Sequence, residues 1–302
     1  MSQPAVELTG AIGGAASIEN YLLADVGNSR VKLAAICSAA AGSHAFVLSH
    51  RLTLAGEALQ PEALTAWLKA AAAGPTVLLV ASVHDALASR LEAMLMNAAE
   101  ASGKTLVCRR IQAADLPLAV AVPEPEKVGI DRLAAAAAAV WRRPAEQPVV
   151  VVDCGTAVTV DLVSAAGAYL GGSIFPGTAL LAKALAGGTS QLPEVMAFAG
   201  SESAARLGTA EAGSAQPQPE PVMPGSCTAE AITAGVVFGT RGAVARLVQE
   251  AVAVVGPALQ VVLTGGGAAV VRQELPQAVE VPDLVLEGVA LAASKALARK
   301  AF

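Results

Sequence analysis

The stretch Val149–Val163, VVVVDCGTAVTVDLV, narrows the folding options of this chain more than any other. A run of β-branched residues, apolar enough for a buried strand, ends on Asp153. Gly155 and Thr156 mark a tight turn, and Ala157–Val163 reads as a second strand returning beside the first. Such a hairpin brings a carboxylate, a glycine backbone and a hydroxyl together at its tip, where N–H groups and small side chains can meet a phosphate. An ordinary hairpin closed by an Asx-type turn is the competing reading. The chain repeats the device: Tyr21–Ile36, YLLADVGNSRVKLAAI, again has an apolar strand, an Asp, a glycine-bearing turn and a returning strand.

With 302 residues there is room for about two domains and a substantial core. The 54% hydrophobic and 15% charged fractions exclude a disordered chain. A net charge of −5 without any Lys/Arg cluster argues against a nucleic-acid partner. The longest apolar run, Leu133–Trp141, is too short for a bilayer, so no membrane partner is expected. The N-terminus lacks the basic, apolar, small-residue order of a secretory signal. Cys37, Cys108, Cys154 and Cys227 have neither zinc-site nor disulfide-framework spacing. The expectation is a cytoplasmic protein with reduced thiols.

Read in order, residues 1–20 are expected to be a loosely ordered extension. A first domain, 21–145, opens on the hairpin and adds a strand over Ala45–Leu54, a helix over Pro61–Ala73, a strand over Thr76–Ser82, a helix over Asp85–Ala101 and a strand over Thr105–Ile111. A polar loop, Pro123–Lys127, leads to Gly129-Ile130-Asp131-Arg132 and an alanine-rich helix to Trp141. The second domain, 146–302, restarts with a hairpin and a strand over Ala168–Phe175. A helix over Pro176–Ala186, ended by Gly187-Gly188, follows. Gly208–Gly225 has the composition of a surface insertion. Then come a long helix over Thr228–Val255, a strand over Leu259–Leu263 and a final helix over Glu287–Arg299. Gly235, Gly239 and Gly242 share a face of the long helix, a site for internal packing before a subunit seam. The fold class is α/β: two related domains with mixed sheets flanked by helices.

Three loops invite a ligand: Asp25–Ser29, Asp153–Thr156 and Thr264–Gly267. Ligands of α/β proteins bind at the carboxyl ends of strands, so a cleft between the two halves is the default site. Neither GxxxxGK[ST] nor GxGxxG occurs, which disfavours P-loop and dinucleotide readings. Asp131, taken alone, is an acid at a helix start favoured by the dipole. Lys32 alone is a solvated strand residue, Arg132 a surface helix residue and Thr189 a loop residue. Asp161 is either a satisfied buried carboxylate or part of the site, and Cys154 reads as core.

The ordered set DVGNSRVK (Asp25–Lys32), GIDR (Gly129–Arg132), DCGTAVTVD (Asp153–Asp161), GGSIFPG (Gly171–Gly177), TSQLP (Thr189–Pro193), LTGGGA (Leu263–Ala268) and DLVLEG (Asp283–Gly288) resembles type III pantothenate kinase. That family belongs to the acetate and sugar kinase, heat-shock chaperone and actin superfamily, so the resemblance implies two ribonuclease-H-like domains. It also implies ATP-dependent phosphorylation of pantothenate, a homodimer, Mg²⁺ with the nucleotide and a monovalent cation, K⁺ or NH₄⁺. Asp25, Val26, Gly27, Asn28, Ser29, Arg30, Val31 and Lys32 would hold the ATP phosphates, with Thr156 contacting the nucleotide. Asp131 would be the general base for the primary hydroxyl. Gly129, Ile130, Arg132 and Thr189 would contact pantothenate, and Asp153 would ligate the monovalent cation. Gly265–Gly267 are expected beside the adenine or ribose. One position departs from the family: Val122 stands where a substrate-contacting tyrosine is usual. The competing functions are another small-molecule kinase, such as a sugar kinase, and a catalytically silent regulatory relative.

Overall fold

The computed structural model describes residues 21–38, 46–72, 74–195 and 220–298. The expected N-terminal extension and most of the 208–225 insertion lie outside them. Two compact units emerge. One takes the chain to Pro117, Gly129–Ala134 and Val285 onward; the other takes Leu118–Val128 and Ala135–Leu284.

In the first unit, β1 (Tyr21–Val26), β2 (Arg30–Ser38) and β3 (Phe46–Ala55) form an antiparallel meander. β4 (Thr76–Ser82) then joins β1 in parallel and β5 (Leu106–Arg110) joins β4, giving the order β3-β2-β1-β4-β5. The strands joined in parallel are separated by helices, α1 (Pro61–Ala71) and α2 (Asp85–Ala101), as parallel crossovers require. α1 starts on a proline, whose missing N–H costs nothing in a first turn. Leu22, Ala24 and Val26 of β1 share one core cluster with Leu64 and Leu68 of α1 and Leu91 of α2.

The second unit repeats the plan. β7 (Val149–Cys154), β8 (Ala157–Val163) and β9 (Ala168–Pro176) form the meander, with β10 (Gln260–Thr264) parallel to β7 and β11 (Val279–Glu280) parallel to β10. A two-residue strand, β6 (Ala119–Val120), adds in parallel beyond β9. The helices of this half are α3 (Ile130–Arg142, divided between the units), α4 (Thr178–Gly188), α5 (Thr228–Val255) and the single turn α6 (Ala268–Val271). The chain's described part closes on α7 (Leu284–Ala298). The duplication foreseen from two similar hairpins thus extends to five strands in the same order and direction.

Four expectations shift. The helix foreseen from Pro176 begins at Thr178, because Pro176 still pairs with Ala157 in β9. α4 does end at Gly187-Gly188, but these are its own last two residues and do not follow it. α7 starts at Leu284, three residues early, because Leu284–Leu286 are buried helix and not a lead-in loop. Among the described residues nothing packs on the glycine face of α5, where a Cβ at Gly235, Gly239 or Gly242 would meet nothing within 4 Å.

α5 is also 28 residues long with a mean hydropathy of 1.3 over its most apolar window, enough by length and composition to cross a bilayer. Its apolar stretches are interrupted by Arg241, Arg246 and Glu250 and so form no continuous run. Its Val237, Val244, Val248 and Ala251 pack into the core with Val150, Val152 and Leu263, as one face of a core helix does.

Candidate functional site

The two acidic hairpins are built alike. β1 and β7 are each six residues long with one burial sequence: four buried residues, a half-buried Asp, then a buried residue. The half-buried positions are Asp25 and Asp153. Each tip closes on its glycine: Gly27 N–H donates to Arg30 O (3.0 Å) and Gly155 N–H to Ala157 O (3.0 Å). Asn28 and Ser29 are exposed at the first tip, Gly155 and Thr156 at the second. Register places Lys32 directly opposite Asp25, so both side chains leave the same face of the sheet. Val26 and Val31 also face each other, but both are fully buried and can offer a ligand only backbone.

Two further hydrogen bonds repeat between the halves. The glycine that follows each third strand braces the tip: Gly56 N–H donates to Ser29 O and Gly177 N–H to Thr156 O, both 2.9 Å. A side chain at either would collide, since a Cβ at Gly56 lies 2.7 Å from Leu87 Cδ2 and one at Gly177 lies 2.9 Å from Thr156 O. The segment leaving each parallel strand then secures the end of the central one. Val83 N–H donates to Val26 O (3.1 Å) and Gly267 N–H to Cys154 O (2.8 Å). Gly56 and the 83–84 segment were not singled out from sequence. Their only available signal was the alignment of one half on the other, which two short hairpins are too little to anchor.

The triple-glycine turn has a structural reason of its own. Gly265 has φ +92°, which favours glycine. A Cβ there would lie 2.6 Å from both N and C of Cys154 and closer still to Asp153 Oδ1. The glycine is therefore fixed by its approach to the Asp153 strand end, a constraint internal to the second unit. Cys154 itself is buried, and burial, with the Asp153 carboxylate adding, pushes its thiol up to about 12. A thiol so protonated is no nucleophile, in line with the core reading. Asp161 resolves as the satisfied carboxylate: it is 1% exposed, and Tyr169 OH donates to its Oδ1 at 2.7 Å.

In the first unit, Gly129-Ile130-Asp131-Arg132 forms the loop-to-helix junction of α3. The Arg132 N–H donates to Asp131 Oδ1 (2.8 Å), and that oxygen lies 2.5 Å from where a Cβ on Gly129 would sit. Gly129 thus makes room for the carboxylate to fold back over the chain. The same Cβ would lie 3.5 Å from Val83 Cγ1, so the Asp131 turn rests beside the residue that secures β1. An open depression of about 300 Å³ borders the first tip, lined by Asn28, Glu57, His84 and Arg90 among others. His84 Nδ1 accepts from Leu87 N–H (3.2 Å), capping α2.

The residues nominated from sequence therefore divide. Asp25–Lys32 and Gly129–Arg132 stand in one unit; Val122, Asp153, Thr156 and Thr189 stand in the other. Val122 lies against β9, near Gly171. Thr189 is exposed at the end of α4, its hydroxyl donating to Leu185 O (2.8 Å) and accepting from Leu192 N–H (3.3 Å).

Two ribonuclease-H-like sheets, each with a glycine-closed acidic hairpin at its centre, define the acetate and sugar kinase, chaperone and actin class. The sequence model of one family in that class, described as type III pantothenate kinase, matches residues 21–250. The type III pantothenate kinase of Alkalilimnicola ehrlichii is 35% identical over 90% of this chain and 96% of its own. That of Paraburkholderia phymatum is 31% identical over 91% and 95%. The chain belongs to the type III pantothenate kinase family. Among solved structures, a putative 2-dehydro-3-deoxygalactonokinase from Sinorhizobium meliloti is 17% identical with a TM-score of 0.49, covering 91% of this chain and 96% of that one.

Proposed function

We propose that this chain transfers the terminal phosphoryl group of ATP to the primary hydroxyl of pantothenate, giving 4′-phosphopantothenate, the first step of coenzyme A synthesis. The observation that carries the reading is family membership across nearly the full length of a named relative. Phosphoryl transfer asks a protein mainly for positioning and charge neutralisation, and small rigid loops at strand ends supply both. Asp25–Lys32 would cradle the phosphates, the exposed Asn28 and Ser29 donating hydrogen bonds and Lys32 supplying charge. Asp131 would accept the hydroxyl proton as the oxygen attacks phosphorus and the ADP oxygen departs. Gly129, Ile130, Arg132, Val122 and Thr189 would shape the acceptor pocket, and Thr156 would meet the nucleotide.

The donor set suits the proposed ions. Among the described residues no three His, Cys, Asp or Glu side chains gather as a metal cluster, so Mg²⁺ would arrive on the nucleotide with its waters, Asp25 orienting them. Asp153, beside the backbone oxygens of the Gly155-Thr156 tip, offers the hard-oxygen environment of a monovalent cation. Either ion would neutralise phosphate charge when bound. The chain would be built as two domains, 21–145 and 146–302, each opening on its acidic hairpin. The open glycine face of α5, flanked by Phe238 at 40% exposure, supports a homodimer; a monomer mass in analytical ultracentrifugation would remove it. A cytoplasmic location fits the four free cysteines.

The test is ATP consumption in potassium buffer with pantothenate against a panel of sugars. Asp131→Ala should cut turnover by roughly 10²–10⁴ while ATP binding and melting temperature hold. Turnover of a sugar in place of pantothenate, or of neither, overturns the assignment; undiminished turnover in Asp131→Ala removes that residue from the mechanism.

A further inference from the structure

The two helices that meet beside the proposed base touch through their backbones. α3 carries six consecutive alanines, Ala134–Ala139, all buried. α7 is buried at every position from Leu284 to Ala293. A Cβ on Gly288 would lie 2.7 Å from Ala134 Cα and closer still to the Ala134 carbonyl. Carbon atoms pack at about 3.5–4.0 Å, so any side chain at 288 must push Gly288 and Ala134 apart by roughly 1 Å. The obstructing atoms are main chain, which no rotamer change can move aside.

Ala134 stands three residues beyond Asp131, less than one helical turn. On its other side the Asp131 turn passes beside Val83, 3.5 Å from where a Cβ on Gly129 would sit, and Val83 secures the end of β1. A displacement at Ala134 therefore moves the carboxylate relative to the strand end that carries the phosphate loop, all within one unit. We infer that Gly288 is a positioning residue for phosphoryl transfer: its bare backbone sets the distance of the first turn of α3, and so of Asp131, from the first hairpin. The inference rests on the reading of Asp131 as general base given above.

Gly288→Ala tests it. For a misplacement of this size turnover should fall on the order of 100-fold while the KM for ATP stays at the wild-type value. The control is Leu95→Ala, a cavity in the core of the same unit, away from α3. It should lower the melting temperature and spare kcat. Hydrogen exchange of residues 129–134 gives a readout independent of the substrate and should quicken in Gly288→Ala alone. A folded Gly288→Ala enzyme with wild-type kcat, or one whose loss merely parallels that of Leu95→Ala, overturns the inference. If wild-type protein leaves pantothenate untouched, the functional reading fails and exchange decides the positional claim by itself. If Gly288→Ala is not recovered folded, wild-type exchange decides: segments 129–134 and 285–291 should share one level of protection, and independent levels refute the coupling.

Discussion

Gly265→Ala is the sharpest test of how the second unit holds its acidic tip. Two costs add. An alanine at φ +92° carries a left-handed penalty of about 1–2 kcal/mol. Its Cβ would also press on the Cys154 backbone at 2.6 Å and on the Asp153 carboxylate, an overpacking cost of about 1–3 kcal/mol. The sum is roughly 2–5 kcal/mol, which for a unit of this size corresponds to a fall in Tm of about 4–20 °C. Gly187→Ala is the internal reference. It lies in the last turn of α4 with nothing within 4 Å among the described residues, so the same substitution should be neutral or stabilise by up to about 1 kcal/mol. Calorimetry of the two variants should therefore move in opposite directions. Because the clash includes Asp153, Gly265→Ala should also weaken cation activation, measured as the potassium concentration giving half-maximal turnover. A Gly265→Ala protein that melts with the wild type would show that the turn relaxes freely, and the account of the glycine would be wrong.

Replacing potassium by sodium should lower turnover, and Asp153→Asn should abolish the difference between the two salts; equal rates in both salts for the wild type would discount the cation role. Alkylation should separate the thiols. Cys37 and Cys227 are exposed, whereas burial holds Cys108 and Cys154 up at about 12. At pH 8 iodoacetamide should modify the first pair in native protein and the second only after unfolding, and mass spectrometry showing early modification of Cys154 would contradict its burial. The same shift sets a pH dependence. The thiol titrates near 8.5 in the unfolded chain, so its stabilising contribution is complete below that pH. It drains away as pH rises toward about 12, at up to about 1.4 kcal/mol per unit. Denaturant midpoints should therefore fall above pH 9.

Some of this was written along the chain and some was not. The hairpins at Tyr21 and Val149, the strand Thr76–Ser82 and the helices Asp85–Ala101 and Thr228–Val255 follow from periodicity and turn residues, because each is a local preference that packing reinforces. The ordered motifs likewise pointed to the family, since chemistry at strand ends needs particular residues at fixed local spacing. What the linear chain did not reveal were the contacts between distant segments: Gly56 on Ser29, Gly177 on Thr156, Gly265 on Cys154 and Gly288 on Ala134. A glycine looks the same in sequence whether it frees a dihedral, admits a ligand or lets two backbones touch. Only the packed tertiary structure, by bringing a specific atom to within a bond length or two of the missing side chain, decides which.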